Sequence, residues 1–167
     1  MRSAADQLSE TVRAAKPRLL DISDAWASAK PYADKWSLKE ILGHLVDSAA
    51  NNHQRIVRMQ ESRDIGVFKY TQQHWVASQK YQSRPWEAIV ELWYQYNLHL
   101  AHLIGEVDPK ALEHVCDMGY PHAATLAFVI EDYLRHVKHH LAQVFGDRDP
   151  RERETWIGRD PAQTPTP

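Results

Sequence analysis

Apolar residues return at alternating steps of three and four in four separate stretches of this chain. That period commits it to amphipathic helices that must bury one face against each other. The first stripe is Leu8, Val12, Ala15, Leu19, Ile22 and Trp26. It reads as one helix with a kink or short break at Pro17, where an amide is lost and the preceding turn is crowded. Pro31 and a polar link to Trp36 follow. The second helix runs from about Leu38 to Gln60. Ser37 with Glu40 three residues on is the capping-box spacing that satisfies open amides at a helix start. Its apolar face holds Leu38, Ile41, Leu42, Leu45, Ala49 and Ile56. The third opens at Pro85, suited to a first helical turn, carries Ile89, Leu92, Trp93, Tyr96, Leu100 and Leu103, and ends near Gly105. The fourth spans Ala124 to Phe145, with Thr125 or a neighbour at its start and Gly146 closing it.

Residues 62–84 show no clear period and are rich in polar and aromatic types, as in YTQQHWVASQKYQ. They read as a long connection that crosses the bundle or covers one end, either as a lid or as a plain crossover. With four helices and no convincing strand, the expected fold is all-α, a four-helix bundle with one long crossover connection. The bundle is expected to occupy residues 1–146. Residues 147–167 hold four of the nine prolines and many charges, and read as a charged, Pro-rich tail that Trp156 alone could dock.

Charge narrows the partners. Twenty basic and 22 acidic residues are interspersed for a net −2, so no basic block offers itself to phosphates and nucleic-acid binding is not expected. A single cysteine, Cys116, rules out an internal disulfide framework and suits a reducing cytoplasm. MRSAADQLSETVRAAK lacks the apolar core of a signal peptide, and no apolar run approaches the roughly 18–20 residues that span a bilayer. A cytoplasmic protein with no membrane partner is expected.

Chemistry concentrates in the histidines, of which there are ten. His136 and His140 lie one turn apart, side by side on the fourth helix, bordering its apolar stripe together with Gln143. On the second helix His44, Ser48, Asn51 and Arg55 fall within about 60° of one another beside the apolar face. That row is either the wall of a pocket or a solvated flank. Two imidazoles from one helix and His44 from another make a three-nitrogen metal site with open positions; the alternative is three histidines in ordinary hydrogen bonds. Imidazole suits zinc, nickel, copper and iron(II). His99 and His102 form a rival pair, but His99 sits at its stripe's edge and His102 points away. His53, His74, His102, His114 and His122 share no spacing and read as surface scatter. No glutamate is followed by histidine three residues later, which excludes a ferritin-like di-iron site, and the His-Glu-x-x-His signature of zinc proteases is absent.

The segment KWSLKEILGHLVDSAANNHQRIVR, followed late by TLAFVIEDYLRHVKHHLAQVFG, resembles the DinB/YfiT-like superfamily over roughly Leu8 to Gly146. The resemblance implies a four-helix bundle, often a homodimer, whose metal is held by one histidine of the second helix and a His-x-x-x-His pair of the last. Matched residue by residue, those are His44, His136 and His140. It implies a divalent metal, zinc or nickel foremost, with iron or manganese behind, and relatives that include metal-dependent hydrolases and thiol-dependent transferases. No separate thiol-binding signature is visible here.

The leading expectation is therefore an enzyme whose metal activates water or a small-molecule thiol against a small-molecule substrate. Asp47, one turn from His44, is the candidate catalytic residue, as a general base or as an acceptor for an imidazole, with a solvated helix aspartate as the alternative. Asp132 and Gln143 flank the His136–His140 pair and are placed to orient a ring. Arg55 and Asn51 are candidates for binding an anionic substrate group. The rival expectation is a metal-binding sensor or scaffold without turnover.

Overall fold

The computed structural model describes residues 2–146; the tail, with Trp156, lies outside the described residues. Four long helices, α1 (Arg2–Leu20), α3 (Leu38–Glu61), α5 (Trp86–Gly105) and α6 (Leu126–Phe145), carry the core. α1 packs on α5 and α6, and α3 packs on the same two, so the four close a ring. Leu8, Val12 and Leu19 of α1 meet Leu42, Leu45 and Ile56 of α3, Trp93 and Leu100 of α5, and Ile130 and Val137 of α6 inside it. Their 3–4 spacing is what lets each helix turn one face inward.

The helix ends follow local chemistry. Ser37 and Glu40 form the reciprocal capping box of α3. Thr125 caps α6 by accepting from the Phe128 amide, and Gly146 closes it with φ of 71°, a left-handed turn that glycine adopts without a Cβ clash. Pro85 precedes α5 as its cap rather than lying within it.

Three expectations are corrected. The first stripe is not one helix: α1 continues through Pro17 to Leu20, and a separate short helix α2 (Asp24–Ser28) follows. Ser23 ends the continuity because its side chain accepts from the Trp26 amide, starting a new helix. The 3–4 count runs across that restart, so Trp26, counted as core, is 69% exposed and Ala27 is buried instead.

The chain is mostly helical but not all-α. Strands β1 (Asp64–Val67), β2 (Val115–Asp117) and β3 (Ala124–Thr125) form a small sheet in that order, β1–β2 parallel and β2–β3 antiparallel. Asp64 pairs with Val115 and Cys116 with Ala124. β1 follows shortly after the end of α3 and β3 runs directly into α6, so the sheet fastens the end of the ring where α3 finishes and α6 begins. The long connection is not featureless either. It contains β1, helix α4 (Gln72–Gln79) and a single tight turn at Tyr81–Ser83, and it buries Val76 and Tyr81 against the core. Among the described residues no helix is long and apolar enough to cross a membrane.

Candidate metal centre

His44 lies in the second turn of α3, while His136 lies midway along α6 and His140 in its penultimate turn. Because the two helices run antiparallel, these positions meet in the half of the ring away from the sheet. The ring centroids of His44 lie 5.0 Å from His136 and 4.9 Å from His140, and those of the α6 pair are 4.5 Å apart. One nitrogen from each ring lies within 4.8 Å of the other two. His44 Nε2 and His136 Nε2 are 3.1 Å apart. Two imidazole nitrogens sharing a tetrahedral zinc at 2.0–2.1 Å stand about 3.3 Å from each other. The three histidines are thus positioned to hold a metal ion.

Their electrostatics suit the same use. His44 has no exposed surface, and burial pulls its pKa down to about 4. His136 is held well below the ordinary histidine range, by burial first and then by the His140 and His44 rings. Rings that stay neutral present lone pairs, the form a metal requires. His140 Nδ1 lies 3.0 Å from Gln143 Oε1. An amide oxygen only accepts, so in the neutral ring this contact puts the proton on Nδ1 and the lone pair on Nε2. The Trp36 ring lies over His44 at 5.2 Å.

The row predicted on α3, His44, Ser48, Asn51 and Arg55, is buried rather than solvated, and Asp47 and Asn52 beside it are buried as well. Asn51 Nδ2 donates back to the Asp47 carbonyl at 2.8 Å. Asp47 Oδ1 accepts from Tyr81 Oη and from Gln79 Nε2, both at 2.7 Å. Burial raises the Asp47 pKa while these two bonds oppose the rise. Its Oδ2 and His44 Nδ1 are both buried without a hydrogen-bond partner. Asp132 turns to Arg135 and, at 3.5 Å, to Tyr120 Oη, not to an imidazole. The histidines read as scatter are partly engaged: His53 Nδ1 lies 3.1 Å from Tyr96 Oη with His99 edge-on to its ring, His74 contacts Ser78, and His114 Nδ1 meets the Met59 carbonyl.

Sequence reasoning missed Trp36, Gln79 and Tyr81. One signal pointed to Tyr81. Gly43 sits inside an otherwise apolar-periodic helix, and a glycine there marks a close approach. A Cβ on Gly43 would stand 2.1 Å from Tyr81 Cδ2, so only glycine lets that ring lie on α3 and reach Asp47. The clefts elsewhere lie apart from this centre: one between α1 and α6, lined by Gln7, Glu131 and Arg135 among others, contains none of the three imidazoles.

Comparison with known proteins agrees with this geometry. The model of the DinB superfamily matches residues 7–144, most of the chain. No curated protein and no solved structure matches it.

Proposed function

Since the chain belongs to the DinB superfamily, we propose that it is a metal-dependent enzyme that acts on a small molecule, as a hydrolase or a thiol-dependent transferase. The ring of four helices serves it as a four-helix bundle whose core carries the ligands. The observation that carries this reading is the convergence of His44, His136 and His140, one nitrogen from each within 4.8 Å of the others. Three imidazole nitrogens leave coordination positions open, as in metal sites that do chemistry. A divalent cation bound there supplies a water acidified to a pKa near 7, or a stabilised thiolate.

The chain's own residues hold and aim the donors. Gln143 fixes the His140 ring through Nδ1. Asp47 is the candidate positioning residue: Tyr81 and Gln79 anchor its Oδ1, while its Oδ2 and the His44 Nδ1, one turn apart, are both buried and make no hydrogen bond to each other in this structure. With a metal on the ring, a carboxylate that accepted from that outer N–H would fix the imidazole and raise its basicity. Trp36 over His44 keeps bulk water off that ring.

The burial of His44 favours a second reading, a closed structural metal in a protein without turnover. Cobalt(II) substitution separates the two. Under the enzymatic reading the visible spectrum shifts when 2-mercaptoethanol or azide is added, because a position exchanges. An unmoved, fully ligated tetrahedral spectrum would leave the structural reading standing and end the enzymatic one. Screens for ester hydrolysis and for thiol addition to electrophiles then choose the reaction.

A further inference from the structure

Arg55 stands eleven residues beyond His44 on α3, which puts it about 20° around and about 16 Å along the same helix face. It is only 5% exposed. One terminal nitrogen donates to the Asn52 Oδ1 at 3.3 Å and the other to the Phe68 carbonyl at 2.8 Å. Both acceptors are neutral. The third nitrogen, Nε, is buried without any partner.

Among the described residues no carboxylate lies within ion-pair distance of this guanidinium. The ionisable groups that bear on it are Cys116, Tyr70, Tyr120 and Asp132. Burial pushes the Cys116 thiol and the Tyr120 hydroxyl up, so both stay neutral. Asp132 is the one formal negative charge, and it is taken up by Arg135 and Tyr120. A buried charge without a counter-charge is strongly unfavourable, and a guanidinium does not escape by losing its proton. The fold therefore holds a desolvated cation with an unused Nε–H, a donor that suits a carboxylate oxygen.

The surroundings narrow the ligand. A single buried positive charge balances a monoanion, not a phosphate dianion. The Phe68 ring lies 5.4 Å from the guanidinium, and Tyr70 and Tyr120 are near enough to bear on its charge. Such neighbours suit a carboxylate borne on an apolar or aromatic body. Ser48, Asn51 and Asn52 fill the α3 row between Arg55 and the three imidazoles. Nε has no exposed surface, so a ligand reaches it only if the structure opens beside it.

We propose that Arg55 is the receptor for the carboxylate of the small molecule on which the metal centre acts. The role as a substrate subsite rests on the metal-dependent reading above; the binding itself does not, which keeps the two failures apart. The test is calorimetric titration and thermal denaturation of the full chain with sodium hexanoate, both after chelation and after zinc loading. Hexanamide and inorganic phosphate are the comparators. Hexanoate is expected to bind saturably and raise the melting temperature in both metal states. Arg55→Gln should weaken it at least tenfold, and Arg55→Lys, which keeps the charge but loses the fork, should weaken it less. The free Arg55→Gln protein should melt no lower than the parent, since removing an uncompensated buried charge is neutral or stabilising. Equal binding of hexanamide or phosphate, undiminished hexanoate affinity in Arg55→Gln, or a variant that unfolds would each overturn the assignment. Hexanoate binding without any zinc binding would keep the receptor and sink the metal-dependent function.

Discussion

Replacing Gly43 with alanine tests the contact that links α3 to the Asp47 carboxylate. The added Cβ would lie 2.1, 2.3 and 2.6 Å from three carbons of the Tyr81 ring. Ordinary contact begins near 3.4 Å, so the ring must retreat by more than 1 Å. Tyr81 is buried, and forcing a methyl into such packing costs about 1–3 kcal/mol. The retreat also breaks the 2.7 Å bond from Tyr81 Oη to Asp47, a hydrogen bond to a charged group worth about 1.5–3 kcal/mol. Alanine's better helix propensity returns about 1 kcal/mol. The net expectation is a loss of about 1.5–5 kcal/mol in urea denaturation. Two controls divide that sum. Tyr81→Phe removes the hydrogen bond without crowding and should lose about 1.5–3 kcal/mol. Gly105→Ala, whose new methyl meets only Ala5 Cβ at 3.6 Å, should be neutral or slightly stabilising. A Gly43→Ala protein as stable as the parent would refute the reasoning.

Two further outcomes follow from the caps and the buried rings. Ser37→Ala removes the side chain that accepts from the Glu40 amide at the start of α3 and should cost about 1 kcal/mol by chemical denaturation, while Ser37→Gly should cost only a few tenths. In metal-free protein the His44 pKa near 4 lies below its unfolded value of 6.5. The unfolded chain therefore takes up a proton that the folded ring refuses, and stability falls as pH drops from 6.5 towards 4. The slope is about 1.4 kcal/mol per pH unit, roughly 3 kcal/mol in all. Denaturation midpoints of parent and His44→Gln across that window should diverge accordingly, and parallel curves would contradict it.

The three long helices from α3 onward were legible because each combines a sustained 3–4 stripe with a chemical stop: Ser37 and Glu40, Pro85, Thr125 and Gly146. The imidazole pair of α6 followed from its i,i+4 spacing, and His44 from the border it shares with its own stripe. What the sequence concealed was short or distant. Strands of two to four residues are too brief for a period of two to declare itself. α4, QQHWVASQ, has scarcely any apolar face. The first stripe kept its arithmetic across Ser23 although the backbone did not, because a side-chain cap decides continuity and the periodicity does not record it. Gln79 and Tyr81 reach Asp47 across 32 and 34 residues, and only the glycine at position 43 hinted that something lay so close. Burial decided the remaining question: the polar row of α3 has the same wheel position whether it faces solvent or the interior.

The central claim is that three imidazoles share one divalent cation. Elemental analysis of protein loaded with zinc and freed of excess metal tests it most directly, with the parent and His140→Ala compared side by side and helicity followed by circular dichroism. The account predicts one tightly held zinc per chain in the parent, and loss of tight binding with most helicity retained in His140→Ala. Equal zinc in both proteins, or none in the parent, would contradict it.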